Sequence, residues 1–390
     1  MPKVTYKDLG VSPDKPEVEA AISGLNKGLF PNAFCHITPD ILASDTNYCN
    51  LMHADGVGTK STIALLMHRE TGRLDVFESL AQDSVVMNMD DLLCVGAVGP
   101  MLVSNTVGRN AKVFDRSMLR HLIKGYHIFG NKLTEYGASL QFCGGETADL
   151  GDVVRSVVID STVTTRMERN KVIDAGSIRA GLVIVGLASF GKATYEVSEN
   201  SGIGTNGFTL VRHELLSPEY RELGSDCFDP DLEMRAFTGR YHLSDILPNA
   251  LDTTIGDALL SPTRTYYPIV KRLLDEGKVK IFAMFHNTGG GVTKCLKFGR
   301  NIRYVKDNLF DMPPIFRLVC DAGGVSPREA LRVLNLGQRF EIVCNPCDAE
   351  YVIEISELFG VAAKIIGHTE VAENAELSVE FAGETHRFFR

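Results

Sequence analysis

Apolar residues along the first 170 positions recur in two rhythms, the 3.6-residue period of a helix and the two-residue period of a half-buried strand. Helical spacing predicts helices over 17–29, 59–69, 75–95 and 115–136. Alternation predicts strands ending at 51–54 and running over 100–107 and 153–166, with a short buried strand at 139–143. In the second half, strands are predicted at 182–188, 279–285, 340–344, 363–367 and 377–381. Helices are predicted at 208–216, 262–274 and 349–359, and another is opened by Gly289-Gly-Gly291. Residues 217–258 show no clear period. Sheet and helix alternate without a regular βαβ beat, which favours an α+β fold over a doubly wound one. The texture changes near 165–175, dividing the chain into domains over 1–170 and 171–390. No repeat is visible at a period of 20 to 50 residues.

Composition narrows the functional classes. A chain of 390 residues, 44% hydrophobic and 23% charged, has enough apolar content for two packed domains. The net charge of −9 argues against a nonspecific electrostatic grip on nucleic acid. No apolar run reaches the roughly 18 residues of a membrane span, and Met1 to Asp8 lacks a signal pattern. A cytoplasmic protein with no membrane partner is the expectation. Among nine cysteines, Cys94 and Cys143 lie in apolar stretches and are expected to be buried. Cys344-Asn-Pro-Cys347 is a single CxxC with no second pair to complete a zinc site, and reads as a strand end followed by a turn.

The chemistry concentrates in five segments. Asp55-Gly-Val-Gly-Thr-Lys60 sets a carboxylate, two glycines, a hydroxyl and an ammonium where a strand meets a helix, a pattern suited to metal and phosphate. It is not a Walker A loop. Gln82 to Asp91 carries Asp83, Asp90 and Asp91 in an otherwise apolar helix. Helix geometry aims Asp83 and Asp90 within about 20° of each other, but separates Asp83 from Asp91 by about 80° and about 12 Å of rise. One magnesium ion cannot bridge that gap. Either several ions bind, the helix breaks, one carboxylate caps or supports, or the run is a solvated acidic face. Gly144-Gly-Glu-Thr147 presents Glu146 through a glycine turn. Ser201-Gly-Ile-Gly-Thr-Asn-Gly207 and His286-Asn-Thr-Gly-Gly-Gly291 are glycine-rich helix entries that offer free N–H groups to an anion.

The order of these motifs, together with LLSPTRTYYPIV at 259–270, resembles the aminoimidazole ribonucleotide synthetase family, also called phosphoribosylformylglycinamidine cyclo-ligase, over roughly residues 5–370. The resemblance implies an N-terminal half whose strands form a barrel with a second subunit, a C-terminal α+β half beside it, and a homodimer. It also implies ATP-dependent closure of formylglycinamidine ribonucleotide in purine biosynthesis. By the same resemblance, Asp55, Asp83, Asp91 and Glu146 would bind magnesium. ATP would lie against Asp55, Gly56, Gly58, Thr59, Lys60, Asp83, Gly144, Gly145, Glu146 and Thr147. Thr205, Asn206, Gly207, Thr288, Gly289, Gly290 and Gly291 would hold the nucleotide substrate, and Lys60 and His286 would serve catalysis.

The sequence also departs from the family. The second-half motif normally reads Ser-Gly-x-His-Ser-Asn-Gly, and Gly204 stands at the histidine; Asp90 stands where Asn is usual. The 29–36 segment lacks the glycines of the family's N-terminal lid, and Leu334-Asn-Leu-Gly-Gln-Arg-Phe340 matches the Phe-Asn-x-Gly segment only in part. Two alternatives follow. One is a relative acting on another acceptor, of which a selenophosphate synthetase would need more than Cys35 beside its N-terminus. The other is a nucleotide-binding protein without catalysis.

Overall fold

The computed structural model of the chain describes residues 6–11, 16–250 and 252–390, so most of the Met1–Asp8 stretch lies outside the described residues. The first half carries a five-stranded sheet of β1 (Ile37–Pro39), β2 (Tyr48–Gly56), β3 (Met101–Arg109), β4 (Leu140–Asp149) and β5 (Val157–Glu168), in spatial order β1-β2-β5-β3-β4. Its helices are α1 (Pro16–Ile22), α2 (Lys60–Thr71), α3 (Glu78–Leu93) and α4 (Arg116–Thr134). Helix α1 stops well short of residue 29, because Gly24 and Gly28 follow and the Leu29 N–H bonds the Ile37 carbonyl instead. Asp115 starts α4 by accepting from the N–H groups of Ser117 and Met118.

Strand β5 shows why one face of this sheet is core. Val157, Ile159, Ser161, Val163, Thr165 and Met167 turn inward onto α3, which is buried on almost every side. Among the described residues no helix covers the other face. There Met52 (66% exposed) and Leu102 (51% exposed) flank Thr164 in one cross-strand row. Strand β4, expected as a short buried strand, is a ten-residue edge strand paired with β3. Leu140 and Phe142 face α4 while Gln141 and Cys143 point outward, so Cys143 is exposed, contrary to the expectation from its apolar neighbours.

The second half carries β6 (Val183–Ala188), a small ribbon of β7 (Phe190–Gly191) and β8 (Asn200–Ser201), then β9 (Ile281–His286), β10 (Ile302–Lys306), β11 (Gln338–Cys344), β12 (Ala363–Val371), β13 (Glu376–Phe381) and β14 (Glu384–Phe389). Seven of them form a sheet in the order β14-β13-β10-β12-β6-β11-β9. Its helices are α5 (Phe208–Leu215), α6 (Tyr220–Leu223), α7 (Ile255–Leu259), α8 (Tyr267–Glu276), α9 (Pro314–Gly323), α10 (Pro327–Val333) and α11 (Ala349–Leu358). The architecture is mixed α+β in both halves. Strands β10 and β14 and helices α9 and α10 are not singled out by the sequence pattern. The Gly289–Gly291 turn opens a 3-10 helix, Gly291–Lys297, rather than an α-helix. Cys344 ends β11 and a 3-10 turn follows at Pro346–Asp348; Cys344 is buried and Cys347 exposed.

Candidate functional site

At the end of β2 the chain turns through Gly56 to Gly58 into α2. Gly56 is required by close approach: a Cβ there would lie 1.8 Å from an Asp160 carboxylate oxygen. Gly58 takes φ +58, in the left-handed region. Asp55 is exposed on this turn and accepts from the Gly56 N–H at 2.7 Å. The Thr59 hydroxyl meets that of Thr209 at 3.2 Å, tying the turn to α5.

Helix α3 is unbroken, and its three carboxylates have three different partners. Asp83 is fully buried. It pairs with Lys60 Nζ at 2.9 Å, and its Oδ1 accepts from the N–H (2.7 Å) and hydroxyl (2.6 Å) of Thr263. Lys60 also donates to the Ser261 carbonyl at 2.6 Å; burial lowers the pKa of its ammonium, against the attraction of Asp83. Asp90 accepts from the Thr265 hydroxyl (2.6 Å) and the Tyr266 N–H (3.0 Å). Together Asp83 and Asp90 take up the N–H and hydroxyl groups of 263–266 and hold the segment out of the helix, so that α8 starts at Tyr267 and not at 262.

Burial pushes the Asp90 carboxyl up to about 7, and the two hydrogen bonds only partly oppose this. A raised carboxyl pKa stabilises the fold fully below the unfolded value of 3.8, and that stabilisation is lost as pH rises to about 7. The melting temperature is therefore expected to fall across that window and level off above it. Asp90→Asn should flatten the profile; an unchanged slope in thermal melts from pH 4 to 8 would refute the assignment.

Asp91 faces the space between the halves. Its Oδ1 accepts from His286 Nδ1–H at 2.7 Å and its Oδ2 lies 3.3 Å from His53 Nε2. Burial alone would raise its pKa, but the His286 hydrogen bond and the charges of His286, Lys294 and His53 hold it below the usual carboxylate range. His286 is wholly buried. Arg339 Nε donates to its Nε2 at 3.1 Å, which fixes the remaining proton on Nδ1. Burial and the Arg339 charge lower its pKa to about 4 despite Asp91, so it is neutral at pH 7.

These elements bound a cavity of ≈ 790 Å³. Asp55, Gly56, Gly58, Thr59, Asp91, Thr205, Asn206, Gly207, Thr288 and Gly289 line it, with His53, Met87, Asp160, Lys294 and Lys297. Asn206 Oδ1 is buried without a hydrogen-bond partner, and Lys294 Nζ donates to the Thr288 hydroxyl at 3.1 Å. Gly290 at φ +98 and Gly291 at φ +51 shape the turn, and Gly291 packs on the Leu331 and Leu334 carbonyls. Asn287 anchors it from beneath, donating to Glu341, which also pairs with buried Lys306.

Other expected residues stand elsewhere. Lys60, Asp83 and His286 lie behind the cavity wall. Gly144, Gly145, Glu146 and Thr147 lie on the exposed edge strand β4. Glu146 shares a cross-strand row with Thr106, Asp160 and Gly56, so it is three strand spacings from Gly56, about 14 Å. The four expected magnesium ligands do not converge, and among the described residues no group of three or more His, Cys, Asp or Glu side chains is placed to hold a metal. The sequence reading misses His53 and Lys294 because each is a lone basic residue outside a glycine motif, and Arg339 because it stands in the 334–340 segment without a partner within reach along the chain; His53 lies two positions before Asp55, the nearest signal available.

The family model described as AIR synthase related protein, N-terminal domain, matches residues 38–167, and that for the C-terminal domain matches 179–380. The chain is 28% identical to the phosphoribosylformylglycinamidine cyclo-ligase of Methanococcus vannielii, covering 98% of this chain and 96% of the relative. It is equally 28% identical to the protein of that name from Methanothermobacter thermautotrophicus, over 98% and 99%. Among solved structures, the HypE-HypF complex includes a chain with a TM-score of 0.55 at 13% identity, covering 96% of this chain and 99% of that one. The hydrogenase maturation protein HypE gives 0.52 at 14% identity, over 79% and 81%. These two are likenesses of fold.

Proposed function

The chain belongs to the AIR synthase family in both of its halves, and from that premise we propose that it uses ATP to close formylglycinamidine ribonucleotide to aminoimidazole ribonucleotide in purine biosynthesis. The observation that carries this reading is the near end-to-end correspondence with proteins named as that cyclo-ligase. In the first step the formamide-derived oxygen attacks the γ-phosphorus of ATP and the bond to ADP breaks. In the second the ring-closing nitrogen attacks the imidate carbon, the C–O bond breaks, phosphate leaves with the oxygen, and the nitrogen gives up its proton. Such chemistry depends on positioning and on offsetting phosphoryl charge.

In this reading residues 1–170 bind ATP and 171–390 complete the substrate side. The 205–207 entry to α5 and the N–H groups of Gly289 and Gly290 in the next turn are offered to phosphate, those of Thr288 and Gly291 being used within the turn, and Lys294 supplies a cation on the same wall. Magnesium that travels with nucleotide phosphates needs only one or two carboxylates; Asp55 would hold it and it would neutralise phosphate charge, with Glu146 able to share it only from a neighbouring copy, since within one chain the two stand three strands apart. Lys60 and Asp83 act by supporting the wall.

The open sheet face with Met52 and Leu102, and the unpaired edge of β4, suit a second copy of the chain. A homodimer is expected by light scattering at micromolar concentration; an active stable monomer would refute it. The activity itself is tested by coupled ADP release from purified protein with formylglycinamidine ribonucleotide, magnesium and ATP. Release that depends on that substrate supports the reading. Release stimulated only by a compound lacking the formamide group would overturn it.

A further inference from the structure

Gly204 stands where the family motif carries histidine, and the space a side chain would need there is already filled. Gly204 sits at φ +69, and a Cβ built on it would lie 1.8 Å from Nη1 of Arg339 and 2.8 Å from its Cζ. Arg339 comes from strand β11. It is the extra residue where the pairing of β11 with β6 shifts between Gln338 and Phe340, and a bulge of this kind re-aims one side chain. Its carbonyl is occupied, accepting from the Asn287 N–H at 2.7 Å.

The guanidinium is buried. Nε donates to His286 Nε2 at 3.1 Å and Nη2 to Met87 Sδ at 3.2 Å, while Nη1 has no hydrogen-bond partner. Met87 lines the cavity and also accepts from the Thr205 hydroxyl at 3.0 Å. Arg339 thus heads a chain of contacts through His286 to Asp91, whose second oxygen faces His53 on the cavity wall. A buried cation without a paired carboxylate is costly for folding alone, which points to a role in the site.

We infer that Arg339 is a positioning residue that replaces, from β11, the basic side chain the family motif carries at 204, and that position 204 is glycine because the guanidinium occupies its side-chain space. Arg339 acts through His286: its N–H on Nε2 leaves the Nδ1 proton for Asp91 and so aims that carboxylate at the cavity. A planar fork reaches His286 and Met87 together; a lysine cannot. The catalytic half of the inference rests on the cyclo-ligase reading, whereas the steric half does not.

The test compares wild type, Gly204→His, Arg339→Gly and the double variant, with turnover of formylglycinamidine ribonucleotide and thermal melting measured on each. Each single variant is expected to lose about tenfold or more in kcat, with a smaller change in KM for ATP, and the double to regain about tenfold over Gly204→His. Arg339→Lys should not restore kcat, and wild-type kcat in that variant would overturn the positioning role. If the histidine variant does not fold, Gly204→Ala replaces it. Its backbone strain is common to both backgrounds, so a smaller loss of melting temperature beside Arg339→Gly isolates the steric coupling. Additive effects in both readouts would overturn the pairing. A wild type inactive on this substrate, with non-additive melting, would overturn the assigned reaction and uphold the pairing.

Discussion

Asp55→Asn is expected to lower ADP release by roughly 10²-fold or more with no change in circular dichroism or melting temperature. The carboxylate is exposed on the cavity wall and accepts from the Gly56 N–H. Asparagine keeps an acceptor for that bond, so the substitution removes little but charge, and charge is what a transferring phosphoryl group requires near it. Turnover close to wild type would sink the assignment of this turn to ATP. Glu146→Gln extends the test, since Glu146 lies three strands away within its own chain. If a neighbouring copy completes the site, each single variant is inactive, and mixed dimers of Asp55→Asn with Glu146→Gln regain part of the activity. No regain on co-expression would place each site within one chain.

Lys60→Met is expected to act on stability. Removing the ammonium leaves the Asp83 carboxylate buried with only the Thr263 donors, and breaking a buried pair in this way costs about 3–5 kcal/mol. Urea denaturation should show that loss, together with loosening of 263–266, where Asp83 and Asp90 hold the second half against α3. A variant with unchanged stability and weakened ATP binding would show instead that Lys60 reaches the phosphates, as its place after a DGVGT turn suggests.

That contrast illustrates what one-dimensional information carries. The strand-to-helix turn at 55–59 and the glycine entries at 201–207 and 286–291 were legible because each depends on local backbone freedom, which residue type determines directly. The alternation of β5 and the apolar period of α3 were legible for the same reason: period and burial are coupled within one element. The edge position of β4 was not, because a strand has the same alternation whether or not another pairs with it, and so Cys143 was assigned to the core.

The sequence by itself determined the α+β class, the order of the motifs and four of the five segments it marks for chemistry as ones that meet at the cavity, the 144–147 segment standing apart on the sheet edge. Only the tertiary structure decided which charges face the cavity. Asp83, Asp90 and Asp91 are within nine residues of one helix, yet rise along its axis and rotation about it give them three sets of partners: Lys60 and Thr263, Thr265 and Tyr266, and His53 and His286. A buried ion must find its compensation in whatever element packs against it. For Arg339 and Gly204, 135 positions apart by number, no local rule links the two: the room left by one side chain belongs to the other only after β11 has bulged against the loop before α5.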